Sequence, residues 1–362
     1  MKRKSALLSI LIFALIAGPS SAADTLNADQ KMVLIKSVGG SISPKSVLAS
    51  NAGLVSAHNM MYRHSVTIYD ANNAELIVTV PDSVVLSDFG YTQYSGTYRG
   101  APVEGAFSPD GKYLYFTNYS MYGKGFTKEG HDTCSPASGY DKSFLSRINL
   151  ESKKIDAVYP VGSVPKVVQV TPDNKYVLVS NWCSYTVTVI STESGKTVKT
   201  IKIGRYPRGI AITKDSLFAY VAEMGGSNIH RINLSDFSKS LIPIGTNPRA
   251  VVLSPDETKM YVTMNLAGKV QAWDLIENKT IKSVKTGAKP RSMDISSDGS
   301  ALFVVNFNGD TVSKIRTSDM KVTQTIKVCN EPIGVTYDSS TNNTWVACYG
   351  GSLKVFTNQY IK

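Results

Sequence analysis

One five-residue phrase recurs along the chain at an almost constant spacing. Val161-Gly162-Ser163-Val164-Pro165, Ile203-Gly204-Arg205-Tyr206-Pro207, Ile244-Gly245-Thr246-Asn247-Pro248 and Thr286-Gly287-Ala288-Lys289-Pro290 share it. Val328-Cys329-Asn330-Glu331-Pro332 repeats it with Cys in place of Gly. The prolines follow one another at 42, 41, 42 and 42 residues. Looser copies stand at Gly100-Ala101-Pro102, 63 residues before Pro165, and at Ser43-Pro44, 58 before Pro102, which makes seven units. So regular a period marks a chain built by repeating one supersecondary unit, each copy burying its apolar face against its neighbours.

The contents of a unit are constant. Mostly apolar residues follow the proline, then a turn such as Ser108-Pro109-Asp110-Gly111-Lys112 or Thr171-Pro172-Asp173-Asn174-Lys175. Pro, Asp and Gly suit the constrained positions of tight turns. A second strand comes next (Val177–Asn181, Tyr261–Met264), then a third that alternates (Thr186–Ile190, Val270–Asp274), then a fourth running into the next phrase (Thr197–Ile203). Four short strands per period of about 42 residues is the pattern of a β-propeller blade. A pair of β-sandwich domains would give no reason for seven near-equal units. After Pro332 only three strands remain, and the fourth is found at the other terminus, where Lys31–Gly39 matches Lys196–Gly204. The expectation is an all-β, seven-bladed β-propeller with four antiparallel strands per blade, its last blade closed by the N-terminal strand. Recurring Asp110, Asp173, Asp256 and Asp298 sit in the turns of the opposite face, where they serve turn chemistry.

These residues resemble the YVTN-type β-propeller repeat, seen here as Tyr261-Val262-Thr263 with the proline phrase and the Ser-Pro-Asp-Gly-Lys turn around it. The resemblance covers about residues 31–362. It implies the propeller fold and, in many members, a secreted or periplasmic location. The family is functionally diverse, so the resemblance carries no catalytic residues.

Lys2, Arg3 and Lys4 precede an apolar run from Ala6 to Ala17, then Gly18-Pro19 and the small residues Ser20–Ala23. This is the layout of a secretory signal peptide cleaved near Ala22-Ala23. The run is too short to span a bilayer, which takes about 20 residues, and no other stretch is apolar enough. The organisation expected is a signal peptide over 1–23, a linker over 24–30 and one propeller over 31–362. Such a protein is periplasmic or secreted, carries no transmembrane segment, and is expected to be a monomer. Disulfides persist in those compartments.

Antiparallel strands bring two kinds of loop to one face of the disc: the proline phrase, and the connection from second to third strand. The residue after the proline is Val103, Lys166, Arg208, Arg249, Arg291 and Ile333 in successive blades from the second to the seventh. Four consecutive blades thus present a cation at an equivalent place, on a chain whose net charge is +11. Arginine's planar fork suits carboxylates, phosphates and sulfates. After the second strands stand Tyr119, Asn181-Trp182, Asn306-Phe307 and Tyr349, amides and rings that suit either packing between blades or a platform for a sugar ring or base. Two long insertions, Pro81–Ala101 and Tyr119–Lys142, fall on this face and are expected to wall the first three blades; loops of this length in a compact fold tend to be functional.

The four cysteines pair as neighbours only in one way. Cys134 in the second insertion lies beside the loop carrying Cys183, and Cys329 in the seventh proline phrase lies beside Cys348, so Cys134–Cys183 and Cys329–Cys348 are expected. No metal-ligand spacing exists among the four His, and nothing calls for a cofactor.

The leading reading is a binding module whose cationic, aromatic face holds an acidic polysaccharide or a partner protein; nucleic acid is less favoured for a secreted chain. One alternative is a lyase on a uronic-acid polymer, with His58, Tyr62 or His131 (or Tyr98) supplying the base. His58 is expected just past the second strand of the first blade, facing the mouth. A second alternative is a structural scaffold in a surface assembly. No nucleophile elbow, phosphate loop or paired catalytic carboxylates are visible, which leaves the non-enzymatic reading in front.

Overall fold

A computed structural model describes residue 28 and residues 30–360; the expected signal peptide and all but the end of the linker lie outside the described residues. Seven four-stranded antiparallel blades form a ring. The innermost strands are Pro44–Ala49, Thr97–Phe107, Pro165–Val170, Pro207–Ile212, Pro248–Leu253, Pro290–Ile295 and Pro332–Asp338. Each packs against the next and the last against the first, so the ring is closed. Lys31–Val38 pairs antiparallel with Ser352–Gln359, supplying the outer strand of the seventh blade as the sequence match implies. The buried Lys314 ammonium fastens this junction, donating to the Gln30 carbonyl (2.7 Å) and to Asn358 Oδ1 (3.2 Å).

The apolar core is divided among the spaces between blades. Val167, Leu178, Val187 and Val189 of the third blade meet Ile210, Ala219, Val221 and Ile232 of the fourth. Fully burying one such side chain contributes about 1.5–3 kcal/mol. Tyr261 and Val262 of the repeat signature are both buried, pointing to opposite faces of their strand.

The turn aspartates have the role expected of them. Ser108–Asp110, Thr171–Asp173, Thr213–Asp215, Ser254–Asp256 and Ser296–Asp298 form one motif in five blades, the hydroxyl donating to the carboxylate at 2.5–2.6 Å. Each carboxylate also accepts a backbone N–H two residues on. Such Asx turns are local reasons for Asp and leave these groups no chemistry to perform.

The second blade carries most of the irregularity. Ser83–Val85 adds a fifth strand against the outer end of Thr97–Phe107, and the second strand, Tyr113–Tyr122, runs on into the second insertion. The two insertions pack on each other through rings: Tyr94 stacks on Phe126 (5.0 Å between centroids), and Tyr98 and Phe144 meet Phe126 edge-on.

Candidate functional site

The site is built by a repeated β-bulge. In all seven blades the innermost strand loses register with its neighbour directly after the anchor proline. A bulge frees a residue from the ladder and re-aims its side chain. Lys45, Glu104, Arg208, Arg249, Arg291 and Ile333 are re-aimed in this way, and all line the central channel, a cavity of about 180 Å³. Lys166 occupies the same position in the third blade and rises between the Tyr119 and Trp182 rings (4.2 and 5.4 Å from its Nζ to the centroids).

The neighbouring loop is stitched to this position. The backbone N–H groups of Trp182, Met224, Asn265, Phe307 and Tyr349 donate to the carbonyls of Val164, Tyr206, Asn247, Lys289 and Glu331, each the residue before an anchor proline. Those five residues have φ between 52° and 62°, an uncommon region for non-glycine residues. The two kinds of loop therefore share one face, as the strand count requires.

Two of the five cations meet acids. Arg208 pairs with Glu104 at 2.9 Å, and Lys166 with Asp132 of the second insertion at 2.8 Å. The other three do not: among the described residues no carboxylate lies within salt-bridge distance of Lys45, Arg249 or Arg291. Arg249 donates instead to the Arg291 carbonyl (3.2 Å) and toward Met224 Sδ (3.5 Å). The Arg291 guanidinium lies 3.3 Å from the centre of the Phe307 ring, and Lys45 Nζ 4.9 Å from that of Tyr349.

The electrostatics follow. Burial, with Arg208 and Arg291 beside it, works strongly against the charge of Arg249. Burial, with Arg208 beside it, pushes Arg291 down to about 10. Guanidinium does not lose its proton in proteins, so both stay charged at a cost that more distant acids, Glu104 and Asp132 for Arg249 and Asp132 and Glu331 for Arg291, offset only in part. Burial, then Lys166, Arg208, Arg291 and Arg249, hold the Lys45 ammonium well below its ordinary value. Burial pulls Lys166 down to about 8 although Asp132 opposes it. Asp132 goes the other way: burial would raise it, but Lys166, helped by Lys45 and Arg208, holds it well below the usual carboxylate range.

Several expected site residues prove to be internal. Asn181 and Asn306 are fully buried. Asn181 accepts from the Gly162 N–H and donates to Thr186 and Thr188, and Asn306 donates to Thr311 and Ser313. They clamp the start of the third strand and present no amide to the mouth. Trp182 is buried, stacked on Tyr206 at 4.4 Å between centroids, with its Nε1–H on the Asp132 carbonyl. Phe307 is buried beneath Arg291. These rings hold cations in place by cation–π contact and offer no open face.

His58 is a correction. It stands inside the strand Leu54–Asn59, not beyond it, and is wholly buried between the first two blades. Its Nδ1 meets Ser46 Oγ at 2.9 Å, and burial pushes it down to about 3. Gly105 is required opposite, because a Cβ there would lie 2.3 Å from His58 Nε2. Tyr62 and His131 are exposed, Tyr62 to 86%. They stand apart from one another, Tyr62 on the first blade and His131 on the insertion.

Sequence reasoning missed three members of the site. Lys45 follows the weak Ser43-Pro44 anchor and carries the same proline-cation signal as the others. Glu104, not Val103, lines the channel: it stands two residues after the proline, where Val167, Gly209 and Ala250 line it in the next three blades. Asp132 reaches the mouth only through the fold of the insertion. Both expected disulfides are present, Cys134–Cys183 and Cys329–Cys348, with Cα separations of 5.4 and 6.1 Å. They fit an oxidising, extracellular or periplasmic setting, and no helix among the described residues is long and apolar enough to cross a membrane.

No established family profile matches the chain. Antigen Lp49 of Leptospira interrogans is 31% identical over 153 residues, which are 40% of this chain and 33% of the antigen; the chain thus spans about a third of the length of this curated relative. Among solved structures, Kuenenia stuttgartiensis hydrazine synthase superposes with a TM-score of 0.70 at 17% identity, over 90% of this chain and 98% of that one. That likeness is one of fold alone.

Proposed function

We propose that the protein is a binding module that holds an anionic ligand, an acidic polysaccharide or an acidic partner protein, where the central channel opens. One observation carries the reading: Lys45, Arg249 and Arg291 converge, largely buried, with no carboxylate against them. Burying charge without a partner is costly, and proteins rarely retain it for packing alone. An incoming carboxylate, phosphate or sulfate supplies the missing charge, and desolvated guanidinium groups bind such oxyanions well. The lyase alternative loses its leading base, since a strand-buried imidazole held down to about 3 neither reaches a polymer nor is basic enough to take a proton from it. An antigen as a partial relative is compatible with a binding or scaffold role.

The test is calorimetric titration with polygalacturonate and with poly-glutamate at low salt. The wild type binds at least one of them, with an affinity that falls as salt is raised. Arg249→Gln combined with Arg291→Gln abolishes that binding without lowering the melting temperature. A double variant that binds both probes as the wild type does overturns the reading.

A further inference from the structure

Beside the channel mouth lies a second, larger cavity of about 780 Å³. It is walled by the Met60–His64 connection of the first blade, by Tyr98 and Arg99, and by the insertion from Tyr119 to Gly130. Tyr119 belongs to both places, since its ring lines this groove and also lies against Lys166.

We propose that this groove is a subsite for a pyranose ring, so that the ligand of this face is an acidic oligosaccharide: its charged group sits over the unpaired cations and an adjoining sugar lies in the groove. This inference rests on the anion-binding reading above and narrows it to one ligand class.

Three features carry it. First, Tyr62 is presented to water almost bare, at a φ of 62°, and His64 follows at 45°. An unpacked ring held this way offers a face for the C–H side of a sugar. Second, the polar groups around the groove are of both kinds. His64 Nδ1 lies 2.7 Å from the Gly100 carbonyl, which can only accept, so Nδ1 donates there. Glu129 accepts from the Tyr122 hydroxyl and keeps further lone pairs, while Arg99 is a donor. Sugar hydroxyls both donate and accept, and so use such a mixture fully. Third, the groove's charges balance, one arginine against one glutamate. A pyranose ring laid here can donate its hydroxyls to Glu129 and turn a carboxylate, where it carries one, to Arg99.

The experiment titrates wild-type protein with three-unit oligosaccharides of galacturonate, of guluronate and of glucuronate, with poly-glutamate and with inorganic phosphate. Tyr62→Ala keeps the local backbone demand and removes only the ring. The expected result is that at least one oligosaccharide binds, and that Tyr62→Ala weakens it about tenfold while leaving phosphate binding at the channel intact. Retained oligosaccharide affinity in Tyr62→Ala, with affinity lost in Arg291→Gln, overturns the groove and leaves the anion site standing. Binding of poly-glutamate with no oligosaccharide bound also overturns the groove, in favour of an acidic protein. Binding of none of the probes, phosphate included, overturns both readings.

Discussion

In the third and fourth blades Lys166 and Arg208 each meet a carboxylate; in the fifth, sixth and first, Arg249, Arg291 and Lys45 meet none. All five stand at the same bulge of the same repeat, so the blade does not set the difference. The second blade does. It contributes Glu104 from its own bulge and Asp132 from its insertion, and both neutralise the arc beside it. The ring is thus one device with a closed arc and an open arc, and a ligand's charge has its largest unmet partner on the open side.

The largest expected effect comes from releasing the closed arc. Cys134→Ser with Cys183→Ser removes the tie that holds the insertion over the third blade. Loss of such a bridge costs about 2–4 kcal/mol, read as a lower melting temperature. It also frees Asp132 from Lys166, so affinity for an anion rises while stability falls. A variant that loses stability and affinity together would mean that the insertion supports the ligand directly and that the two arcs do not differ as described.

Next in size is a difference of sign. Arg249→Met removes a buried charge with no acid partner and should raise stability by about 1–2 kcal/mol, whereas Arg208→Met leaves Glu104 without its partner and should lower it by a similar amount. Chemical denaturation of the two single variants decides this, and equal effects would erase the distinction between the arcs. Asp132→Asn follows, with a smaller expected gain of about threefold to tenfold in anion affinity, because it converts part of the closed arc to the open kind.

How much of this contrast could be read in the residues alone depends on what each part of it rests on. The blade count, the closure by Lys31–Val38 and both disulfides follow from the period, because a 42-residue repeat places every copy of a position at the same height and on the same face. The four cations after the prolines were legible for the same reason. Which side chain enters the channel was not wholly so, since a bulge sets two residues against one on the neighbouring strand and both can be turned toward the channel. Glu104 stands second in its bulge, a place held by Val167, Gly209 and Ala250 in the next three blades, so the run of cations gave no sign of it. Asp132 lies in an insertion with no counterpart in the other blades, so no periodicity could locate it. The burial of Asn181, Asn306 and His58 was hidden differently: each ends or nearly ends a second strand, where a buried clamp and an exposed loop residue look alike in sequence.

The smallest effect is the most diagnostic, because binding and stability should respond to pH in opposite directions. Lys166 is held at about 8 in the folded chain, and Lys45 is also lowered. Between that value and the ordinary lysine value of 10.5, the unfolded chain binds more protons than the native one, so stability rises with pH across this window. Anion binding falls across it, because the ligand needs the ammonium charged. The arginines of the open arc do not titrate there and keep most of the affinity, so the loss should be partial, about twofold to fivefold from about pH 7.5 to about pH 9.5. Asp82, raised to about 8 by burial, acts below this window: the native chain keeps a proton the unfolded chain has lost, and stability declines as pH climbs toward 8. Above it Asp82 contributes no further slope, which leaves the lysines to be read cleanly. Lys166→Met should abolish much of the rise in stability and flatten the fall in affinity, whereas Arg291→Gln should lower affinity equally at both ends of the window. If affinity collapses entirely as pH rises, the lysines rather than the arginines bind the anion, and the open arc shrinks to Lys45.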